Sequence, residues 1–235
     1  MNPATIFGTI ALLGLAAVWG ELVLENFPLT SAAKLLQTAT LTWAMKIWWD
    51  RSQGLARRYA GGLALGLAFS IAGDFFLMGM LDRASRLVLG LGVLSFAFTQ
   101  IFYTRALRAA GTRPSFLALS AFSAAFFLLA MGNHWTLAVP IDLTIGSAIY
   151  SVFLGVMACH ATVGLRNENL PWDSRRVAAA GAWIFVATDA LLPLILFGEG
   201  AGIALPHLGL WVYQAYIVSQ CLFTLSAFEL QSPKA

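Results

Sequence analysis

Charge is scarce in this chain. Of its 235 residues only 11% are charged and 59% are hydrophobic, and the mean hydropathy is +0.77. A soluble domain needs more charge than this to cover its core, so the composition excludes one and defines an integral membrane protein. The formal net charge of +3 forms no basic stripe, which excludes nucleic acid as a partner. Cysteine is nearly absent. Cys159 and Cys221 both lie in apolar runs and read as packing residues, with no basis for a disulfide framework or a thiolate metal site. The three histidines, His134, His160 and His207, are dispersed along the chain, whereas a catalytic zinc wants about three converging ligands. There is no GxSxG elbow either. No metal and no other cofactor is expected. Pro/Ser-rich linkers and low-complexity tracts are missing, so residues 1–235 are expected to form one polytopic domain. The first apolar run lacks the basic flank and small-residue cleavage site of a secretory signal and is expected to be a retained helix.

What the chain has in plenty is long apolar runs. The hydrocarbon core of a bilayer is about 30 Å thick and takes roughly 20 apolar residues to cross as a helix. Eight such spans fit: Ala4 to Leu24, Thr30 to Trp48, Tyr59 to Met80, Leu87 to Leu107, Ser115 to Gly132, Pro140 to Gly164, Val177 to Phe197 and His207 to Phe228. The expected fold is therefore all-α, an integral membrane bundle of eight transmembrane helices. Backbone groups in lipid must bond within their own segment, and these runs are too long for barrel strands. With eight spans, only Lys34, Arg83 and Arg86 fall on the side opposite the termini, which leaves eleven of the 14 Lys and Arg on the side of the termini. That asymmetry predicts cytoplasmic termini, in the inner (plasma) membrane of a bacterium. Gly61, Gly62, Gly66 and Gly73 in the third span, with Gly90 and Gly92 in the fourth, predict close approach of those two helices.

Two of the runs resemble each other. Tyr59 to Met80 contains one acid, Asp74, and Ala178 to Phe197 contains one acid, Asp189. A small residue precedes each (Gly73, Thr188), and a leucine follows three positions on (Leu77, Leu192). The run after each acid carries a glutamine, Gln100 in FTQIFYT and Gln220 in VSQCLFT, so the chain reads as a 4+4 internal repeat. A carboxylate in hydrocarbon is expensive and normally faces the bundle interior, a partner or water, which makes Asp74 and Asp189 the candidate catalytic pair, one acting as acid and the other as base. If Asp74 and Asp189 do no more than bond a neighbouring helix, they are structural. Gln100, Gln220, Tyr103 and Tyr216 are the polar residues expected to orient a water or a substrate oxygen, although each alone also serves as interhelical glue. Glu21 and Lys34 lie near the non-cytoplasmic ends of the first two spans, at headgroup depth. Lys34 either pairs with Glu21 or snorkels, or it is the cation that meets a phosphate.

On these residues the sequence resembles the lysoplasmalogenase family, also called the YhhN family. The resemblance runs from Lys34 at the head of the second span through FSIAGDFFLM with Asp74, the TQIFY stretch, Tyr150 to Met157 and GAWIFVATDALL with Asp189, to YIVSQ with Tyr216 and Gln220. It implies an eight-helix enzyme that hydrolyses the vinyl ether bond of lysoplasmalogens to a fatty aldehyde and a glycerophospho-alcohol. It further implies Asp74 and Asp189 as the catalytic pair and a lysophospholipid or lysoplasmalogen as the partner within the membrane lipids. Family members usually carry histidine where this chain has Gln100 and proline where it has Leu35; glutamine does not titrate. The alternative from the residues alone is a non-enzymatic proton-coupled transporter or a lipid-binding protein, because acids in bundle interiors also mark proton pathways and repeated halves are common in transporters.

Overall fold

A computed structural model describes residues 3–77, 85–203 and 205–230. The tail of the third predicted span (residues 78–80), Arg83, Lys234 and the side chain of His134 lie outside what is described. Eight α-helices make up the described chain: α1 (Pro3–Leu22), α2 (Phe27–Arg51), α3 (Gly54–Leu77), α4 (Arg86–Ala109), α5 (Phe116–Leu137), α6 (Ile141–Gly164), α7 (Trp172–Phe197) and α8 (Leu208–Glu229), with a single 3-10 turn at Glu199–Ala201.

α2, α4 and α7 cover their predicted apolar runs and overshoot them, whereas α1 stops two residues short of its run, at Leu22, and α5, α6 and α8 begin one residue inside theirs. α3 begins at Gly54, so it contains Arg57 and Arg58, and α7 begins at Trp172, so it contains Arg175 and Arg176. The helical hydrogen-bond ladder does not stop where hydrocarbon stops; the flanking charges ride on its last turns, at headgroup level. Starts are set by local chemistry. The Asn26 side chain accepts from Leu29 N, and Pro28 occupies the first turn of α2, where a missing N–H costs nothing. Ser115 does the same for α5 by accepting from Ala118 N at 3.2 Å.

Seven of the eight helices are long and apolar enough to cross a membrane. α2 falls short by composition, because it carries Lys34, Gln37 and Thr38 on its inward side in addition to Lys46, Asp50 and Arg51 near its end. Its low hydropathy follows from what it supplies to the interior.

Apart from α4 and α5, neighbours in sequence are neighbours in space: α1 packs on α2, α2 on α3, α3 on α4, α5 on α6, α6 on α7 and α7 on α8, while α4 reaches across to α6 and α2 to α8. The close approach of α3 and α4 has a visible cause. A Cβ on Gly62 would sit 2.8 Å from Ala106 Cβ and 3.0 Å from the Phe102 carbonyl oxygen, and one on Gly66 would lie 2.3 Å from the Tyr103 ring. Backbone meets side chain with nothing between, the arrangement that replaces hydrophobic drive in lipid. The duplicated acid motif leads to the expectation that the third and seventh helices pack together near the centre, and that expectation needs correction. α3 and α7 do not pack together at the centre; among the described residues they make no helix–helix contact. Phe96 of α4 and Tyr216 of α8, in edge-to-face contact at 5.9 Å, lie against both, and a cavity takes the space between the two acids.

Candidate functional site

The cavity holds about 420 Å³. Asp74 and Asp189 both line it, together with Lys34, Glu21, Tyr213 and Tyr216. Five helices furnish these six side chains: α1 brings Glu21, α2 Lys34, α3 Asp74, α7 Asp189 and α8 the two tyrosines. Residues that lie far apart in sequence therefore meet at one end of the bundle, where α2, α4, α6 and α8 begin.

Asp74 is only 4% exposed. Its contacts all fall on one oxygen. Thr38 Oγ1 donates to Oδ2 at 2.7 Å, while the Tyr213 and Tyr216 hydroxyls each lie 3.4 Å from the same atom. Tyr213 has a shorter acceptor in the Lys34 carbonyl, at 2.7 Å, and its hydroxyl also lies 3.0 Å from Thr38 Oγ1. Among the described residues Asp74 is thus fixed through Oδ2 while it lines the cavity. Backbone geometry helps. A Cβ on Gly73 would fall 2.6 Å from the Phe96 ring, so the absent side chain lets Phe96 close against α3 beside the acid.

Asp189 is held from a different side. Tyr150 of α6 donates to Asp189 Oδ2, and Gln100 Nε2 of α4 reaches the Tyr150 hydroxyl at 3.3 Å. Gln100 is fully buried, and its Oε1 has no hydrogen-bond partner among the described residues. Four residues after Asp189, Pro193 interrupts the ladder of α7. Proline has no N–H to give to the carbonyl four residues back, so the Asp189 carbonyl lacks its usual intrahelical partner.

Lys34 sits at the mouth. Its Nζ is 3.4 Å from Glu21 Oε2 and 5.3 Å from the centre of the Tyr213 ring. Glu21 Oε1 is in turn 3.9 Å from His207 Nδ1. The pairing of Lys34 with Glu21 expected from the sequence is present, and both residues still line the cavity.

The other polar residues singled out in the sequence lie elsewhere. Tyr103 donates to Gln220 Oε1, and Gln220 Nε2 lies 3.5 Å from Ser70 Oγ. Tyr103, Gln220 and Gln100 are all fully buried, and none lines the cavity. The glutamines also cross over. Gln100, from the first half, supports the acid of the second, and Gln220, from the second, bonds Tyr103 and Ser70 of the first. Sequence reasoning passed over Thr38, Tyr213 and the link from Tyr150 to Asp189. Thr38 follows Lys34 by one turn and Tyr213 precedes Tyr216 by three residues, so helical spacing puts each on a face already marked as functional. Among the described residues no group of three His, Cys, Asp or Glu gathers as metal ligands.

The Gln100–Tyr150–Asp189 chain gives a stability prediction. Tyr150→Phe removes the partner of Gln100 Nε2 and leaves a fully buried amide with neither end bonded, at a cost of about 1–3 kcal/mol. The variant is expected to melt earlier in detergent, and Gln100→Leu added to it should recover the part of the loss that the unpaired amide causes, while Asp189 still lacks the Tyr150 donor. Equal melting of Tyr150→Phe and wild-type protein would show that this chain carries no stabilising weight.

Fold and site together define a polytopic helical membrane protein with a buried and a half-buried carboxylate and a lysine around one cavity. The chain belongs to the YhhN family, whose model matches residues 29–227 and which is the lysoplasmalogenase family. Neither the curated proteins nor the solved structures contain a match to the chain.

Proposed function

We propose that this protein is a lysoplasmalogenase-type hydrolase, cleaving the vinyl ether of a lysophospholipid with Asp74 and Asp189 as its acid/base pair. The observation that carries the reading is that the two acids, 115 positions apart in the numbering of the chain, line one cavity with a lysine at its mouth. Family membership supplies the reaction class.

The cavity gives each group a side. Asp189 also lines a second, apolar pocket with Phe126, Leu129 and Leu154, whereas Asp74 lies toward Lys34 and the tyrosines. Asp189 is therefore the proton donor to the hydrocarbon end of the bond, and Asp74, whose Oδ2 already accepts from Thr38, is the acceptor that takes a proton from water. Proton transfer from Asp189 to the vinyl carbon remote from oxygen breaks the C=C π bond and leaves an oxocarbenium ion on the carbon next to oxygen. Asp74 stabilises that cation and draws a proton from the water that adds to it, forming a hemiacetal. Collapse of the hemiacetal breaks the C–O bond to glycerol as its hydroxyl proton passes to Asp189 and the proton held by Asp74 passes to the leaving oxygen, releasing a fatty aldehyde and the glycerophospho-alcohol and returning both acids to their starting states. One water is consumed and the protons balance, with no redox step. In this reading Lys34 meets the phosphate as a point charge, exchanging its ion pair with Glu21 for one with substrate. The positive-inside count puts both termini in the cytoplasm and the cavity mouth on the opposite face.

Purified protein incubated with a lysoplasmalogen should release aldehyde in stoichiometric amount with the glycerophospho-alcohol; lipid recovered intact after prolonged incubation would reject the reaction. Lys34→Ala should raise KM about tenfold with kcat little changed, as when a contact made equally in ground and transition states is lost. A fall in kcat at unchanged KM would take Lys34 out of phosphate binding.

A further inference from the structure

The leucines that follow each acid by three residues, Leu77 and Leu192, have no part in the chemistry above. At that spacing each lies on the same face as its acid, one turn on. The structure brings the two together: Leu77 and Leu192, with Leu196, line the acid cavity, and the same three line both the small apolar pocket beside Asp189 and a third space. They are the wall between these compartments.

The third space is a groove of about 410 Å³ between α4 and α6. Val93 and Ala97 form one side, Ile149 and Phe153 the other, and Tyr150, the partner of Asp189, stands where the groove meets the acids. Arg86 and Asp142 close its far end with a 2.7 Å ion pair joining the starts of α4 and α6. Both helices are long and apolar enough to span a membrane. Leu94 and Ile149, which line the groove, are about half exposed, so it opens sideways on the apolar flank of the bundle. Two glycines leave it clear. A Cβ on Gly90 or on Gly146 would meet nothing within 4 Å, and both residues line the groove.

We infer that the groove between α4 and α6 is a lateral port for a single lipid hydrocarbon chain, entered from the acid cavity past the wall of Leu77, Leu192 and Leu196. The inference rests on the proposed lipid-cleaving reading for the identity of the occupant. A polar group held at Lys34 fixes one end of the ligand. The chain then has to leave the neighbourhood of the acids through apolar surroundings, and this groove adjoins the acid cavity across the three leucines, with Tyr150, the partner of Asp189, in its own lining. Gly90 and Gly146 are then specificity-determining positions, since side chains there would occupy the port without touching the carboxylates.

Gly90→Leu and Gly146→Leu, singly and together, test this. Leucine at either place is better accepted by a helix than glycine and has free space, so folding is expected to be unaffected; Gly8→Leu, also with nothing within 4 Å of its Cβ, is the control outside the groove. A lysophosphatidylcholine carrying a diazirine at the end of a long acyl chain should label wild-type protein within residues 86–97 and 141–153, and unlabelled lysophosphatidylcholine should compete that label away. In the double variant the competed label should fall about tenfold or more, because packing a chain beside two added leucine side chains overfills the groove. Gly8→Leu should label as wild type does. Competed label confined to other helices, or undiminished in the double variant, overturns the port. Aldehyde release measured on the same preparations separates this outcome from the reaction itself. Wild type that labels in the groove but releases no aldehyde keeps the port and loses the hydrolase. Variants that turn over long-chain and short-chain lysoplasmalogens in the wild-type ratio keep the hydrolase and lose the port.

Discussion

Asp74→Asn and Asp189→Asn proteins, purified and checked for folding, are each expected to release aldehyde about 10²–10⁴-fold more slowly than wild type, the usual contribution of a positioned acid or base. Asparagine keeps the shape and the accepting oxygen. Thr38 can still donate at position 74 and Tyr150 at position 189, so neither substitution removes a partner from a neighbouring group. What asparagine cannot do is give up or take the proton. Because protonation and water attack belong to one sequence of events, the double variant should be little worse than the slower single one; residues acting as a unit are strongly non-additive. If the acids instead only brace the bundle, activity will follow the yield of folded protein, and folded single variants will turn over at close to the wild-type rate. That result would remove the paired-carboxylate mechanism while leaving family membership intact.

Gly66→Val should have the largest effect on stability of any single change considered. A Cβ at this position lies 2.3 Å from one carbon of the Tyr103 ring and 2.4 Å from the next. Tyr103 has no room to yield: it is fully buried, packs on Phe223 with ring centres 4.5 Å apart and donates to Gln220. Either α3 and α4 separate or Tyr103 abandons its hydrogen bond, and overpacking of this kind costs about 3 kcal/mol. The expected readout is a marked loss of folded, monodisperse protein in detergent and a lower melting temperature. Tyr103→Leu, which clears the ring, should relieve part of the defect in the Gly66→Val background. Wild-type melting of Gly66→Val would mean that α3 and α4 do not approach as closely as the structure has them.

Most of the helices were legible because lipid leaves so little choice. A run of about 20 apolar residues with no place to satisfy its backbone except within itself forms a helix, and its position needs no tertiary information. The ends were less legible. α3 and α7 each begin several residues before their apolar runs, since flanking arginines are compatible with helix at the headgroup level. α2 was read as a span like the rest, yet it is the least apolar of the eight helices because Lys34, Gln37 and Thr38 face inward. The acids stood out by cost, as lone carboxylates in hydrocarbon. Their partners did not. Nothing local marks Thr38 as the donor to Asp74, 36 residues away, or Tyr150 as the donor to Asp189, 39 residues away.

The sequence by itself determined the solvent, the class of fold and the identity of the costly residues. It also carried the family, through an ordered set of motifs from Lys34 to Gln220. Those properties are one-dimensional: they depend on hydropathy, spacing and the price of a charge in an apolar medium. Only the tertiary structure decided which residues share space. It kept α3 and α7 apart with a cavity between, sent Gln100 to Asp189 by way of Tyr150, and withdrew Gln220 into a buried contact with Tyr103. It also turned two leucines that were merely a repeated letter into a wall between three compartments. The physical reason is that a helix side chain finds its partner on another helix, and rotation about the helix axis, fixed by glycine contacts such as Gly66 on Tyr103, decides which one it meets.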